Sequence, residues 1–215
     1  TGTASAPKTA CADTAFITKL GLEGAEPALV HVDMAPANLI EASVERHEGT
    51  LTSTGSLAVT TGEYTGRAPQ NRFIVDTPHV HDRIAWGKVN APMATENFDR
   101  IYEGVRAYLA ERDTYVVRGM AGADRAHSRN FAVVCEKPHQ ALFARQMLVR
   151  PAAEELASYE PDFVVLAAPD YRCNPETDGT ATESVVAINF ERRIIIVAGT
   201  GYSGEIKKSI FSTMN

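Results

Sequence analysis

A glycine-rich segment followed by two lysines is the part of this sequence best suited to chemistry. It reads Gly199-Thr-Gly-Tyr-Ser-Gly-Glu-Ile-Lys-Lys208 and joins an apolar run to a predicted helix. Glycines let a ligand approach the backbone closely, and the N–H groups at a helix start favour anions. Lys207 and Lys208 lie in the first helical turns, where the helix dipole disfavours cations. The pair indicates an anion or another local role, and the alternative is that both lysines point into solvent.

The same glycines also match the dinucleotide-binding pattern G-x-G-x-x-G, at Gly199, Gly201 and Gly204. That pattern belongs at an early strand–turn–helix of a βαβ unit, with an acidic residue about 20 positions further on. Neither condition can be checked within the sequence. A nicotinamide-binding oxidoreductase therefore stays open as an alternative.

A second loop places an arginine between two predicted strands. It reads Thr61-Gly-Glu-Tyr-Thr-Gly-Arg67-Ala-Pro69, with glycines and a proline marking the turn. The forked guanidinium of Arg67 suits a two-point grip on a carboxylate. From the loop alone, an exposed arginine without a ligand is the competing interpretation.

The elements that must position these residues predict an α/β domain with a mixed central sheet and flanking helices. Apolar residues at helical spacing predict a helix over Thr95–Ala110. Two apolar runs, Ser184–Phe190 and Arg193–Ala198, predict a β-hairpin because a short polar connection separates them. The pattern further predicts helices over 13–21, 35–45, 138–149 and 205–214, and strands over 56–61, 72–76, 114–117, 130–135 and 162–168.

Together the two loops resemble ATP-dependent phosphoenolpyruvate carboxykinases. The resemblance rests on Thr61–Pro69 and on the long run Gly199–Asn215, and Leu148–Leu156 followed by Pro161-Asp-Phe-Val-Val is similar at comparable spacing. It covers about Leu51 to Asn215 and implies the fold of the family's N-terminal domain.

The resemblance implies that oxaloacetate and ATP are converted to phosphoenolpyruvate, ADP and CO2, a gluconeogenic reaction that uses Mn²⁺ and Mg²⁺. Arg67 matches the arginine that binds the substrate carboxylate, and Tyr202 matches a tyrosine near the substrate and CO2. Lys208 matches the lysine whose neutral amine binds Mn²⁺, and Lys207 matches its neighbour close to the anionic substrate. These roles make Lys207 and Lys208 the expected catalytic residues.

The sequence departs from the family pattern at several positions. Ala68 replaces a usual serine, Gln70-Asn-Arg72 replaces a common Lys-Asp-Lys, and Gly201 stands where tryptophan is frequent. No G-x-x-x-x-G-K-[ST] phosphate loop occurs. We therefore expect residues 13–215 to be a substrate-binding domain whose C-terminal ATP-binding domain is missing, and the chain alone to be inactive. A non-catalytic ligand-binding module is the other alternative.

Composition narrows the remaining classes of function. The net charge is −6, which gives no electrostatic support for binding nucleic acid or an anionic membrane. The three cysteines lack C-x-x-C spacing, and no apolar stretch is long enough to span a bilayer. We expect a cytoplasmic protein with a flexible tail over residues 1–12.

Overall fold

A computed structural model describes residues 12–214 of the chain. The predicted tail therefore lies outside the described residues, except for Ala12, which is buried. The described strands are β1 (Val30–Val32), β2 (Gly49–Leu51), β3 (Leu57–Val59), β4 (Arg72–Val75), β5 (Ala91–Met93), β6 (Thr114–Ala121), β7 (Arg129–Cys135), β8 (Phe163–Ala168), β9 (Val185–Asn189) and β10 (Ile194–Ala198). The described α-helices are α1 (Thr14–Lys19), α2 (Pro36–Glu45), α3 (Thr95–Ala110), α4 (Pro138–Met147), α5 (Ala153–Leu156), α6 (Pro175–Asp178) and α7 (Gly204–Ser212).

Eight strands form one mixed sheet in the order β1-β6-β7-β8-β10-β9-β4-β5. The pairs β6–β7 and β9–β10 are antiparallel, and the other neighbours are parallel. Both antiparallel pairs join strands that follow each other in the chain. The predicted hairpin of β9 and β10 is confirmed, and so is the α/β class with a mixed sheet.

The strand directions bring two distant parts of the chain to one edge. β9 lies between β4 and β10, parallel to the first and antiparallel to the second. Arg72 is opposite Val186 in the register, and Val186 is opposite Val197. The start of β4 therefore lies at the same edge as the end of β10, and we call this the site edge.

Helices cover both faces of the sheet, so the central strands carry nearly continuous apolar runs. On one face α3 buries the five apolar residues that predicted it, namely Phe98, Ile101, Tyr102, Val105 and Leu109. On the other face α2, α4 and α7 contribute buried residues that include Leu39, Ala141, Ala144, Ile206 and Ile210. Among residues 12–214, no helix combines the length and the apolar character needed to cross a membrane.

The structure differs from the sequence prediction mainly in short strands. The run over 56–61 contains β3, which pairs with β2 in a separate two-stranded sheet instead of the central one. The edge strands β1 and β5 have three residues each and were not predicted. β5 contains Pro92, which lacks an N–H and is tolerated because the strand has only one neighbour. The one-turn helix α6 was not predicted either.

We predict that α7 is anchored through its buried face. Ile206→Ala should lower the free energy of unfolding by about 2–5 kcal/mol, because it leaves a cavity against the sheet. Phe211→Ala on the same helix is the matched control, since Phe211 is 58% exposed while Ile206 is 0% exposed. Urea unfolding of both variants measures the difference. If both variants lost the same free energy of unfolding, α7 would not be anchored through this face.

Candidate functional site

The loop Gly199–Ser203 connects β10 to α7 at the site edge, and the chain around Arg67 packs against it. A Cβ on Gly201 would lie 2.9 Å from the carbonyl oxygen of Thr61. Only glycine allows this approach without a shift, because the neighbouring atoms belong to backbone. The absence of a side chain at Gly201 thus lets the Arg67 loop lie directly on the loop before α7.

Tyr202 is placed by a similar close approach. A Cβ on Gly204 would lie 2.3 Å from Cε1 of the Tyr202 ring, so the ring packs on the first residue of α7. The backbone N–H of Tyr202 also donates to the Thr200 hydroxyl at 3.2 Å. Tyr202 is half-buried and keeps part of its surface open. At Gly201 and Gly204 the space beside the glycine is filled by the protein itself, which weakens the dinucleotide interpretation of this pattern.

Glu205 connects the two loops. It lies in the first turn of α7, is 4% exposed, and accepts a hydrogen bond from the backbone N–H of Ala68 at 2.8 Å. A carboxylate in this turn also has a favourable interaction with the helix dipole. The bond fixes the chain one residue after Arg67 to the helix that carries Lys208.

Three cations gather around this connection, namely Arg67, Arg72 and Lys208. Burial, followed by the guanidinium groups of Arg72 and Arg67, lowers the pKa of Lys208. Burial also lowers the pKa of Arg72, while Glu205 raises it and Arg67 lowers it. Within residues 12–214 none of the three forms a salt bridge. The group therefore carries excess positive charge, as an anion-binding site requires.

The structure brings some of the predicted residues together and leaves one apart. Arg67 is exposed at the site edge, and Lys208 is half-buried beside it, with its ammonium 5.3 Å from the centre of the Phe211 ring. Lys207 lies in the same helical turn, but its side chain is exposed. No described contact joins Lys207 to the other cations, so its expected role stays a prediction.

Arg72 is the member of the group that sequence reasoning did not select. It is the first residue of β4 and is only 6% exposed. A charged residue at the start of an otherwise apolar strand, Arg72-Phe-Ile-Val75, is the signal that was available. Its meaning depends on the register with β9 and β10, which the sequence does not show.

The described residues do not form a complete metal site. Nowhere in 12–214 do three or more His, Cys, Asp or Glu side chains cluster in a way that could hold an ion. The pKa of Lys208, the expected Mn²⁺ ligand, is lowered by burial and by the guanidinium groups of Arg72 and Arg67. Its lowered pKa favours the neutral amine that a metal needs. The chain thus offers one candidate ligand.

Other side chains that could do chemistry, a histidine and the cysteines, take no part in the site. His81 pairs with Asp76, Nδ1 to Oδ1 at 2.8 Å, on an exposed turn. Cys173 is buried, and burial raises its pKa to about 12, which disfavours the reactive thiolate. Cys135 is fully buried and its pKa is raised for the same reason. Cys11 lies outside the described residues.

Known proteins similar to this chain agree on one family. A sequence model described as phosphoenolpyruvate carboxykinase, in its ATP-dependent form, matches residues 28–215. Phosphoenolpyruvate carboxykinase (ATP) 1 of Moorella thermoacetica is 45% identical over 203 residues, which are 94% of this chain and 38% of that protein. Phosphoenolpyruvate carboxykinase (ATP) of Geobacillus kaustophilus is 46% identical over 187 residues, which are 86% of this chain and 35% of that protein. The chain thus spans little more than a third of these relatives.

The three-cation arrangement makes a prediction about Lys208. In Arg67→Gln the pKa of Lys208 should rise, because a neighbouring positive charge that disfavours the ammonium is removed. Less neutral amine is then present at any given pH, so acylation of Lys208 should need a higher pH. Mass spectrometry of the acylated peptide across a pH series measures this shift.

The matched control for this experiment is Arg83→Gln. The Arg83 guanidinium is exposed and is not among the causes of the lowered pKa of Lys208. Its replacement should leave the acylation profile of Lys208 unchanged. Identical profiles for wild type and Arg67→Gln would mean that Arg67 is too distant or too well hydrated to act on Lys208.

Proposed function

Because the chain belongs to the family of ATP-dependent phosphoenolpyruvate carboxykinases, we propose that it forms the substrate-binding part of such an enzyme. The reaction converts oxaloacetate and ATP to phosphoenolpyruvate, ADP and CO2 and would serve gluconeogenesis in the cytoplasm. The observation that carries the proposal is the group Arg67, Arg72 and Lys208, which has no salt-bridge partner among the described residues. Oxaloacetate carries two carboxylates and suits this excess of positive charge.

The proposed chemistry breaks one bond and forms another. The C–C bond to the leaving carboxylate of oxaloacetate breaks, CO2 departs, and the electron pair stays behind as an enolate. The enolate oxygen then attacks the γ-phosphorus of ATP, and the bond from that phosphorus to the β-phosphate oxygen breaks. Negative charge develops on the enolate oxygen, so fixed cations beside it lower the barrier.

The residues of this chain take the following roles in the proposal. Arg67 grips a substrate carboxylate with its forked donors, which its exposure at the site edge allows. Tyr202 lies two residues before α7, and the exposed part of its side chain can face substrate or CO2. Lys208 supplies a neutral amine to Mn²⁺, and Lys207 adds positive charge nearby. Bound divalent cations, Mn²⁺ together with Mg²⁺, would stabilise the developing charge electrostatically.

ATP would be bound by a part of the enzyme that this chain does not contain. The sequence has no phosphate-binding G-x-x-x-x-G-K-[ST] loop, and the described residues supply one candidate metal ligand. We propose that a C-terminal ATP-binding domain supplies the nucleotide site and the remaining metal ligands. On this basis the chain alone does not turn over ATP.

Arg67→Ala in the full-length protein tests the proposal. We expect kcat/KM for oxaloacetate to fall by roughly 100-fold or more, because the substrate carboxylate loses a charged partner. The affinity for ATP should stay within about twofold, because ATP is proposed to bind to the C-terminal domain. Steady-state kinetics and equilibrium ATP titration measure the two quantities.

Arg150→Ala is a suitable control, because Arg150 is exposed and lies outside the site. It should leave both quantities unchanged. If Arg67→Ala lost ATP binding but still used oxaloacetate normally, the proposed role of Arg67 in binding oxaloacetate would be wrong. A wild-type full-length protein that binds oxaloacetate but forms no phosphoenolpyruvate would instead favour the non-catalytic binding module.

A further inference from the structure

A cavity of about 610 Å³ lies beside the three-cation group, and the roles proposed above assign it no function. It is bounded by the start of β4, by the turn around Arg83, and by α7. Its ionisable lining consists of Arg72, Arg83, Lys208, His79 and Glu191. Basic side chains thus outnumber the one carboxylate, Glu191, which is exposed.

Arg72 is the buried member of this lining and its hydrogen bonding is incomplete. Its Nε donates to Oδ1 of Asn90 at 3.2 Å. Its Nη1 is buried and has no hydrogen-bond partner among the described residues. A guanidinium stays charged at any accessible pH, and leaving a buried charged donor unpaired is costly. Arg72 thus lines the cavity as a charged side chain with a single hydrogen bond to the described residues.

The nearby carboxylates do not fill this role. Glu205 is close enough to raise the pKa of Arg72, but it forms no salt bridge with it, and its Oε1 accepts from the Ala68 N–H. Glu191 lines the cavity and forms no salt bridge with Arg72 either. Among residues 12–214, no carboxylate is therefore paired with the Arg72 guanidinium where it lines the cavity.

The guanidinium is also held in a fixed orientation. Asn90, which accepts from Nε, donates through Nδ2 to the carbonyl of Ala85 at 3.1 Å. The backbone N–H groups of Asn90 and Gly87 donate to each other's carbonyls. A donor held by such a chain loses little entropy when it binds a ligand.

We propose that Arg72 is a further substrate-binding residue, whose guanidinium donates from the cavity wall to an oxyanion of the carboxylate-bearing substrate assigned above to Arg67 and Lys208. The inference rests on the proposed function for the identity of that substrate. Oxaloacetate offers two carboxylates, and phosphoenolpyruvate offers a carboxylate and a phosphate, so each has a second anionic group for Arg72. The ligand class is a small organic di- or trianion.

Kinetics of the full-length enzyme test this role. In Arg72→Gln we expect KM for oxaloacetate and for phosphoenolpyruvate to rise about tenfold or more, as for the loss of a hydrogen bond between charged groups. The Kd of ATP should stay within about twofold. Arg72→Lys keeps the charge without the fork and should fall between wild type and Arg72→Gln.

Two further variants separate binding from structure. Arg150→Gln is the control, because Arg150 is exposed and does not line the cavity, and it should leave KM within about twofold. Asn90→Ala keeps Arg72 but frees its Nε, so KM should rise moderately. This variant tests the proposal if Arg72→Gln does not fold. If Arg72→Gln folds and its KM is unchanged, the proposal is wrong. If Arg72→Gln does not fold, an unchanged KM in Asn90→Ala overturns the proposal instead.

An equilibrium measurement separates this inference from the proposed function. Succinate, a C4 dicarboxylate that cannot react, should raise the melting temperature of wild-type protein and of Arg150→Gln, but not of Arg72→Gln. If the wild type formed no phosphoenolpyruvate yet showed this pattern, the reaction would be wrong and the anion site correct. If the wild type formed phosphoenolpyruvate and succinate raised the melting temperature of Arg72→Gln as much as that of wild type, the proposed reaction would be supported and the proposed role of Arg72 would be wrong.

Discussion

One buried carboxylate, that of Glu205, joins the two halves of the candidate site. It accepts from the backbone N–H of Ala68, and its charge partly offsets that of Arg72. Together with the close approach of Thr61 to Gly201, this bond holds the loop of Arg67 against the segment that leads into α7. The position in the first helical turn suits a carboxylate, since the helix dipole favours negative charge there. A single group thus stabilises the helix start, the loop and the neighbouring cation.

The sheet topology makes this connection possible. β9 reverses the direction between β10 and β4, so the chain leaves the sheet after β10 where it enters the sheet at Arg72. If β4 were antiparallel to β9, Arg72 would lie at the opposite edge, a strand length away from Lys208. The buried apolar face of α7 packs against the sheet and thereby fixes the position of Lys208 relative to this edge. Strand direction and helix packing together determine which cations meet.

The sequence predicted the elements with a strong periodic pattern and missed those that depend on partners. Helix α3 extends over Thr95–Ala110 as predicted, because five apolar residues repeat at helical spacing and all are buried. The three-residue strands β1 and β5 carry too few residues for a pattern, and they exist because a longer neighbour supplies the hydrogen bonds. Arg67 and Lys208 were found through their motifs. Arg72 was not, because its place beside them follows from a register between strands far apart in sequence.

The grouping of cations also explains why Lys208 differs from an ordinary surface lysine. Burial and two guanidinium groups disfavour its ammonium form, and no carboxylate in the described part of the chain pairs with it to reverse this effect. Pairing the cations with acidic side chains would stabilise the fold, but it would also occupy the donors that an anion needs. A protein that keeps such a group unpaired sacrifices stability for binding, which is a common property of functional sites. The lack of a salt-bridge partner for Lys208 among the described residues is therefore the feature that most clearly separates this edge from a structural ion-pair network.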